Sequence, residues 1–362
     1  MSDQTELIRA WTHTKVGRPE KVINLDHVPM PKLSSAEDVL VKVSHIALLS
    51  SASFMIAFIP HTNSRPYKVE SDFTGTVVET GSNVRQELTS GTEVFGITIN
   101  MADKLELLKS LTSPNGSLVE YLVVNQNTVV IKPANIKAEI VSGMAGVGCT
   151  ALEFMDAAAL KLGDTILING GSGAVGLLLL QLAKQAVGSE GRVVTTCSAA
   201  KIDMVKKYGA DTVIDYSSHQ PLTKYLADEY GTHKFDCIID CYGSQELYTE
   251  SPAYLANDKL FLNMAIAHPR GRDWRVSDIL RFAGQQLQNT CVPTWLGGTN
   301  RRYKFISATP WRATLERVRK LIEDGRLTCE IDSVWGMDDA IKAYERFGSN
   351  EAQGRVVINV QG

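Results

Sequence analysis

Residues Asp164–Gly176 read Asp-Thr-Ile-Leu-Ile-Asn-Gly-Gly-Ser-Gly-Ala-Val-Gly, an apolar run that passes straight into a glycine-rich turn. In Gly171-Ser172-Gly173-Ala174-Val175-Gly176, the Gly-x-Gly-x-x-Gly spacing is the one a dinucleotide site needs. Gly171 is expected to permit the tight turn, Gly173 to let backbone amides approach a pyrophosphate, and Gly176 to let helix and strand pack closely. The run Leu177-Leu-Leu-Leu-Gln-Leu-Ala-Lys then predicts a buried helix, whose N-terminus would face the phosphates with unpaired donors and partial positive charge. The alternative is a glycine turn that joins strand to helix and binds nothing.

An NAD site places an Asp or Glu on the ribose about 20 residues beyond such a turn. Here the second strand, Arg192-Val-Val-Thr-Thr-Cys-Ser198, ends without an acid, and Asp203 lies too far into the next helical segment. Ser198 and Lys201 offer a hydroxyl and a cation instead, and Tyr216 closes the third strand with a phenol. This set favours NADPH over NADH, because a 2′-phosphate wants cationic and hydroxyl donors where a free ribose wants a carboxylate. Lys201 can also be read as one more lysine on a solvated face.

These residues need a scaffold, and the chain supplies a strand–helix rhythm. Strands are predicted near 164–169, 192–196, 212–215, 235–240 and 259–264, with helical segments such as 198–208 and 220–230 between them. That alternation predicts a parallel, doubly wound sheet. Cys241-Tyr-Gly243 follows the apolar strand Phe235–Asp240, at the carboxyl edge where ligands bind, and Cys241 is expected to touch the cofactor as packing. The first 130 or so residues differ, with short β-rich runs at 38–43, 74–80, 92–97, 118–124 and 128–132 that suggest a compact barrel-like unit. The last fifty or so read helix (310–324), strand (331–334), helix (337–347) and strand (355–360). At 362 residues two domains with a substrate cleft are the economical reading.

With 37 basic and 40 acidic residues, the chain shows no electrostatic footprint for nucleic acid or an anionic membrane. The polar opening Met1-Ser-Asp-Gln-Thr-Glu lacks a signal-peptide layout, and Gln181 and Lys184 interrupt the longest apolar stretch, so a cytoplasmic location is expected. The six scattered cysteines include no Cys-x-x-Cys pair, which predicts buried free thiols rather than a zinc or redox site.

Several stretches carry a family likeness: Ser71-Asp-Phe-Thr-Gly-Thr-Val-Val-Glu-Thr-Gly-Ser82, Gly91-Thr-Glu-Val-Phe-Gly96, Gly116-Ser-Leu-Val-Glu-Tyr121, the glycine turn, and Gly354-Arg-Val-Val-Ile-Asn-Val360. Together they resemble the medium-chain dehydrogenase/reductase superfamily, in its zinc-free quinone-oxidoreductase and enoyl-reductase branch. The resemblance implies a Rossmann cofactor domain (134–308) and a GroES-like, chaperonin-10-like substrate domain (1–133 plus 309–362). Zinc-dependent relatives carry metal ligands where this chain has Leu49-Ser50-Ser51, Glu70-Ser71-Asp72 and Gly146. Three or four converging N, S or O ligands are needed, and isolated carboxylates do not supply them.

Without a metal, the accessible chemistry is conjugate addition: NADPH gives hydride to the β-carbon of an enone, quinone or enoyl thioester, and the enolate is then protonated. Relatives place a Tyr or Lys in the loop after the second strand to orient or protonate the substrate. This chain has Leu49-Ser50-Ser51-Ala52-Ser53-Phe54, and Phe54 cannot donate. Ser51 and Ser53 remain as donors, and Tyr67 or His61 could approach from the following loop. The resemblance also places Thr150 beside the nicotinamide, unless it is a helix N-cap, and Arg355 near the cofactor. Residues 266–309 exceed the family minimum and hold Arg270-Gly-Arg-Asp-Trp-Arg275, Trp295 and Phe305. They resemble segments of fungal reductases that act in trans on polyketide-synthase-bound intermediates, as a lid or a phosphopantetheine contact. The other reading is an irregular connection whose aromatics plug the domain interface. Two functions stay open: an NADPH-dependent reductase of secondary metabolism or detoxification, and a pseudoenzyme or regulatory NADPH binder. The family contains both monomers and homodimers.

Overall fold

In a computed structural model of the chain, the described residues are 6–59, 66–99, 115–265, 275–307, 310–349 and 351–362. The chain separates into two compact units, Met1–Cys149 with Thr309–Gly362, and Thr150–Ala308.

In the second unit the apolar runs at 165–169, 192–197, 235–240 and 255–263 become strands of one six-stranded sheet. Every neighbouring pair is parallel. The order is Thr212–Asp215, Arg192–Cys197, Thr165–Asn169, Phe235–Asp240, Leu255–Asn263, Arg302–Phe305. Strand order therefore reverses between Thr165–Asn169 and Phe235–Asp240, which makes their carboxyl ends the natural ligand crevice. Ile166, Leu167, Ile168, Ile238 and Ile239 are all fully buried. Both faces of the sheet are thus covered, and this is why these strands read as continuous apolar runs. The helix Ala174–Val187 buries Leu177, Leu178, Leu179 and Leu180.

The first unit holds a seven-stranded mixed sheet centred on Asp38–Ala47, which pairs antiparallel with Asp72–Thr80, Tyr121–Asn125 and Arg355–Asn359. Val39, Val41, Val43, Phe73, Val356 and Ile358 fill its core. A second sheet of three strands, Ile23–Pro29, Leu7–His13 and Tyr67–Lys68, lies in the same unit.

Four sequence expectations need correction. The opening strands Leu7–His13 and Ile23–Pro29 were absent from the predicted pattern, and much of Ile23–Pro29 is solvent-facing, so it carries little apolar signal. Residues Ser50–Phe58 form a helix rather than a loop. The stretch after residue 275 is not irregular: Val276–Cys291 is a 16-residue helix and Arg302–Phe305 is the edge strand of the parallel sheet. Trp295 stands 80% exposed and plugs nothing, while Phe305 packs edge-on against Phe282. Finally, all six cysteines are free, but only Cys149, Cys197, Cys237 and Cys329 are buried; Cys241 is half-buried and Cys291 exposed.

Candidate active site

At the carboxyl end of Thr165–Asn169 a chain of buried hydrogen bonds fixes the glycine turn. Gly170 N donates to Thr196 Oγ1 (2.9 Å), Thr196 Oγ1 donates to Asn169 Oδ1 (2.6 Å), and Asn169 Nδ2 donates to Asp240 Oδ1 (2.8 Å). Asp240 also accepts from the amides of Tyr242, Gly243 and Ser244. Burial raises the Asp240 carboxyl above its ordinary range, and these four donors oppose that shift. The network ties three neighbouring strands together and holds the turn against the 241–244 loop.

The glycines divide by physical cause. The left-handed residue is Gly170 (φ +79°), so the tight turn falls one position before Gly171. Gly171 is required by packing, since a Cβ there would sit 2.0 Å from Thr195 Oγ1. At Gly176 a Cβ would lie 2.5 Å from the Gly170 carbonyl oxygen, as the expected close packing demands. Gly173 is different: within the protein its Cβ would meet only Gly170 O, at 3.3 Å. Gly173 is also the N-cap of Ala174–Val187, so the amides of Ala174 and Val175 head the helix, where no preceding turn supplies acceptors. Exposed Gly173 and half-buried Ser172 complete a cradle that fits a dinucleotide pyrophosphate.

The other residues expected at the cofactor fall in four places. Cys241 N donates to Asn169 O, and its Cβ lies 3.7 Å from where a Gly170 Cβ would be. Burial pushes the Cys241 thiol far up, so it packs rather than reacts. Ser198, Lys201 and Tyr216 share one corner of the same edge: Lys201 N donates to Ser198 O, and Tyr216 N donates to Cys197 O. Asp215, which sequence reasoning passed over, is at that corner too, opposite Cys197. Its carboxylate accepts from Ser217 N, Ser217 Oγ and Ser218 Oγ, and these bonds hold it below the usual range. Thr150 lies inside the helix Ala145–Ala158 and so is no N-cap. Arg355 belongs to the first unit, where its buried guanidinium stands beside Asp72 and Cys329.

The first unit contains a small pocket that is partly open to solvent. One wall is apolar: Ala52, Met55, Ile56 and Ile59, the i, i+3, i+4, i+7 positions of the helix Ser50–Phe58 and its cap. The lining also includes His13, Tyr67, Lys68, Glu70 and Asn115. Of the proposed donors, Tyr67 lines the pocket, whereas Ser51 is solvent-exposed and Ser53 has a buried hydroxyl off the lining face. His61 and residues 270–274 lie outside the described residues.

Glu70 and Asp72 are the carboxyls that the family resemblance sets against the metal-ligand places of zinc-dependent relatives. Glu70 accepts from Tyr344 Oη (2.6 Å) and Leu49 N (3.2 Å), on a strained backbone at φ +66°. Burial pushes its carboxyl up to about 8. Asp72 accepts from Gly146 N at 2.8 Å and from Ser71 Oγ, and burial pushes it up to about 6. Both carboxyls are thus engaged by protein donors in surroundings that favour the neutral acid. Among the described residues no three His, Cys, Asp or Glu side chains converge as a metal site needs.

A family model described as zinc-binding dehydrogenase matches residues 208–358. A trans-enoyl reductase of Penicillium oxalicum is 33% identical, with 99% of each chain covered. A medium chain reductase of Acremonium sp is 32% identical over 98% of this chain and 99% of its own. Among solved structures, the quinone oxidoreductase from Coxiella burnetii superposes with a TM-score of 0.76 at 23% identity, covering 98% of this chain and all of its own. No helix among the described residues is long and apolar enough to cross a membrane.

Proposed function

Because this chain belongs to the medium-chain dehydrogenase/reductase superfamily, in its enoyl-reductase branch, and is an oxidoreductase of a family that uses nicotinamide cofactors, we propose that it is an NADPH-dependent, metal-independent reductase of activated C=C bonds. The substrate class is an enone, quinone or enoyl thioester, free or carried by a synthase of fungal secondary metabolism. The relatives' names as trans-enoyl and medium chain reductases support the substrate class. The observation that carries the cofactor reading is Gly173, a glycine that protein packing does not require, in a turn braced by the Asp240 network.

When bound, the nucleotide supplies the hydride. The residues proposed to hold it are Ser172–Gly176 at the pyrophosphate, Ser198, Lys201 and Tyr216 at the adenosine phosphate, Cys241 as packing, and Thr150 and Arg355 toward the nicotinamide. The helix N-terminus opposes the phosphate charge, and the cation at Lys201 matches a 2′-phosphate. The apolar wall of the helix Ser50–Phe58 keeps water from the reacting carbon, and polar groups of the same pocket meet the carbonyl end.

The test is calorimetry with NADPH and NADH, followed by NADPH oxidation against a panel of enones, quinones and enoyl thioesters, with and without chelator. Tight NADPH binding and chelator-resistant turnover are expected. Binding without turnover of any panel member would favour the regulatory binder, and loss of turnover with chelator would overturn metal independence.

A further inference from the structure

Polar side chains line the pocket together with the apolar stripe Ala52, Met55, Ile56 and Ile59, and the four titratable ones, His13, Tyr67, Lys68 and Glu70, differ in what they can still donate. His13 Nδ1 lies 3.1 Å from Lys15 O, and a carbonyl only accepts, so Nδ1 carries a proton that is already spent on that carbonyl. Tyr67 is almost fully buried and packs edge-on to His13, with ring centroids 6.0 Å apart. Glu70 is held at both oxygens by Tyr344 and Leu49. Lys68 has three ammonium protons, and its one hydrogen bond among the described residues goes to a neutral acceptor, Asn115 Oδ1, at 3.2 Å. A half-buried ammonium on a flexible stem, beside an apolar wall and with donors to spare, is built to meet an oxygen that gains negative charge.

We propose that Lys68 is the substrate-facing donor of this protein: its ammonium binds the carbonyl oxygen of the α,β-unsaturated ketone or thioester and then protonates the α-carbon. The inference rests on the reductase reading above and names the residue that replaces the donor missing from the segment 49–54. In the balanced step the substrate's β-carbon takes a hydrogen and two electrons from the reduced nicotinamide nucleotide. The α-carbon takes a proton from Lys68 Nζ, and the neutral amine left behind is reprotonated from water. Burial alone lowers the Lys68 ammonium from the ordinary lysine range, which eases that proton transfer.

Lys68→Met and Lys68→Gln remove the charge, and Lys68→Arg restores a cation. With a trans-2-enoyl pantetheine thioester and NADPH, both neutral variants should lose about 100-fold or more in kcat/KM, within the range of a positioned general acid. Lys68→Arg should recover part of the substrate affinity, while the NADPH Kd by calorimetry and the thermal midpoint stay at wild-type values. Neutral variants within about threefold of wild type would overturn the inference. If wild type turns over no activated alkene, the reductase reading fails by itself. Lys68 is then judged by calorimetry with the saturated acyl pantetheine: about tenfold weaker binding in Lys68→Met sustains its role as oxygen ligand, and equal affinity, or no binding to wild type, overturns it.

Discussion

The three glycines of the fingerprint should respond differently to one added methyl. At Gly176 a Cβ would stand 2.5 Å from Gly170 O and 2.7 Å from Gly171 Cα, both backbone atoms that cannot rotate away. Gly176→Ala must therefore shift the turn against the helix, with an overpacking penalty of about 1–3 kcal/mol. At Gly173 the nearest atom is 3.3 Å away and no second one lies within 4 Å, so Gly173→Ala is sterically mild for the protein. Exchange of glycine for alanine at an N-cap costs on the order of 0.5 kcal/mol. The same methyl stands where backbone amides would approach a pyrophosphate, and loss of one charge-assisted bond there costs about 1.5–3 kcal/mol, roughly 10- to 150-fold in Kd. Thermal unfolding of the unliganded variants and calorimetry with NADPH separate the two effects. Gly173→Ala should keep the wild-type midpoint within a degree or two and lose nucleotide affinity; Gly176→Ala should lower the midpoint itself. A Gly173→Ala protein that binds NADPH as wild type does would refute the assignment of the cradle.

Three further outcomes follow from named contacts. Lys201→Ala should weaken NADPH about 10- to 100-fold and NADH less than twofold, and equal losses would exclude a phosphate contact. Asp240→Ala leaves the amides of Tyr242, Gly243 and Ser244 and the Asn169 side chain without their acceptor, so unfolding should become easier by about 3–5 kcal/mol; a denaturation midpoint equal to wild type would show that the network does not brace the turn. Glu70 is raised in the fold to about 8, so it favours folding fully below its unfolded value near 4.5, and that contribution is lost as pH climbs through 8, on the order of 5 kcal/mol in all. Asp72 has the same sign but finishes near 6, and the buried thiols, also raised, add the same sign only as pH nears 9, so urea denaturation between pH 6.5 and 8 isolates Glu70. Glu70→Gln should flatten the decline in that window, and an unchanged decline would assign it elsewhere.

Local signals carried much of the architecture. The parallel strands are apolar on both faces because both are covered, so Thr165–Asn169 and Phe235–Asp240 announce themselves in the residue order, as does the glycine spacing that follows the first. Where the burial was one-sided or slight, the signal failed: Ile23–Pro29 has only Ile23 fully buried, and the edge strand Arg302–Phe305 alternates exposed Arg and Lys with half-buried aromatics in only four residues. The segment 49–54 lacks any cap residue with a side-chain hydrogen bond, so nothing local marks the helix Ser50–Phe58.

What no window of sequence contains is the pairing of distant side chains. Thr196 and Asp240 reach Asn169 across 27 and 71 residues, and Tyr344 reaches Glu70 across 274. Which glycine turns left-handed, which carboxyl loses its water, and which amine is set beside an apolar wall are consequences of those long-range meetings. Residue order determined the elements and the type of site, because backbone preference and burial periodicity act over a few residues. The tertiary structure alone decided the site's electrostatics, because desolvation and hydrogen bonding depend on neighbours that the chain brings from elsewhere.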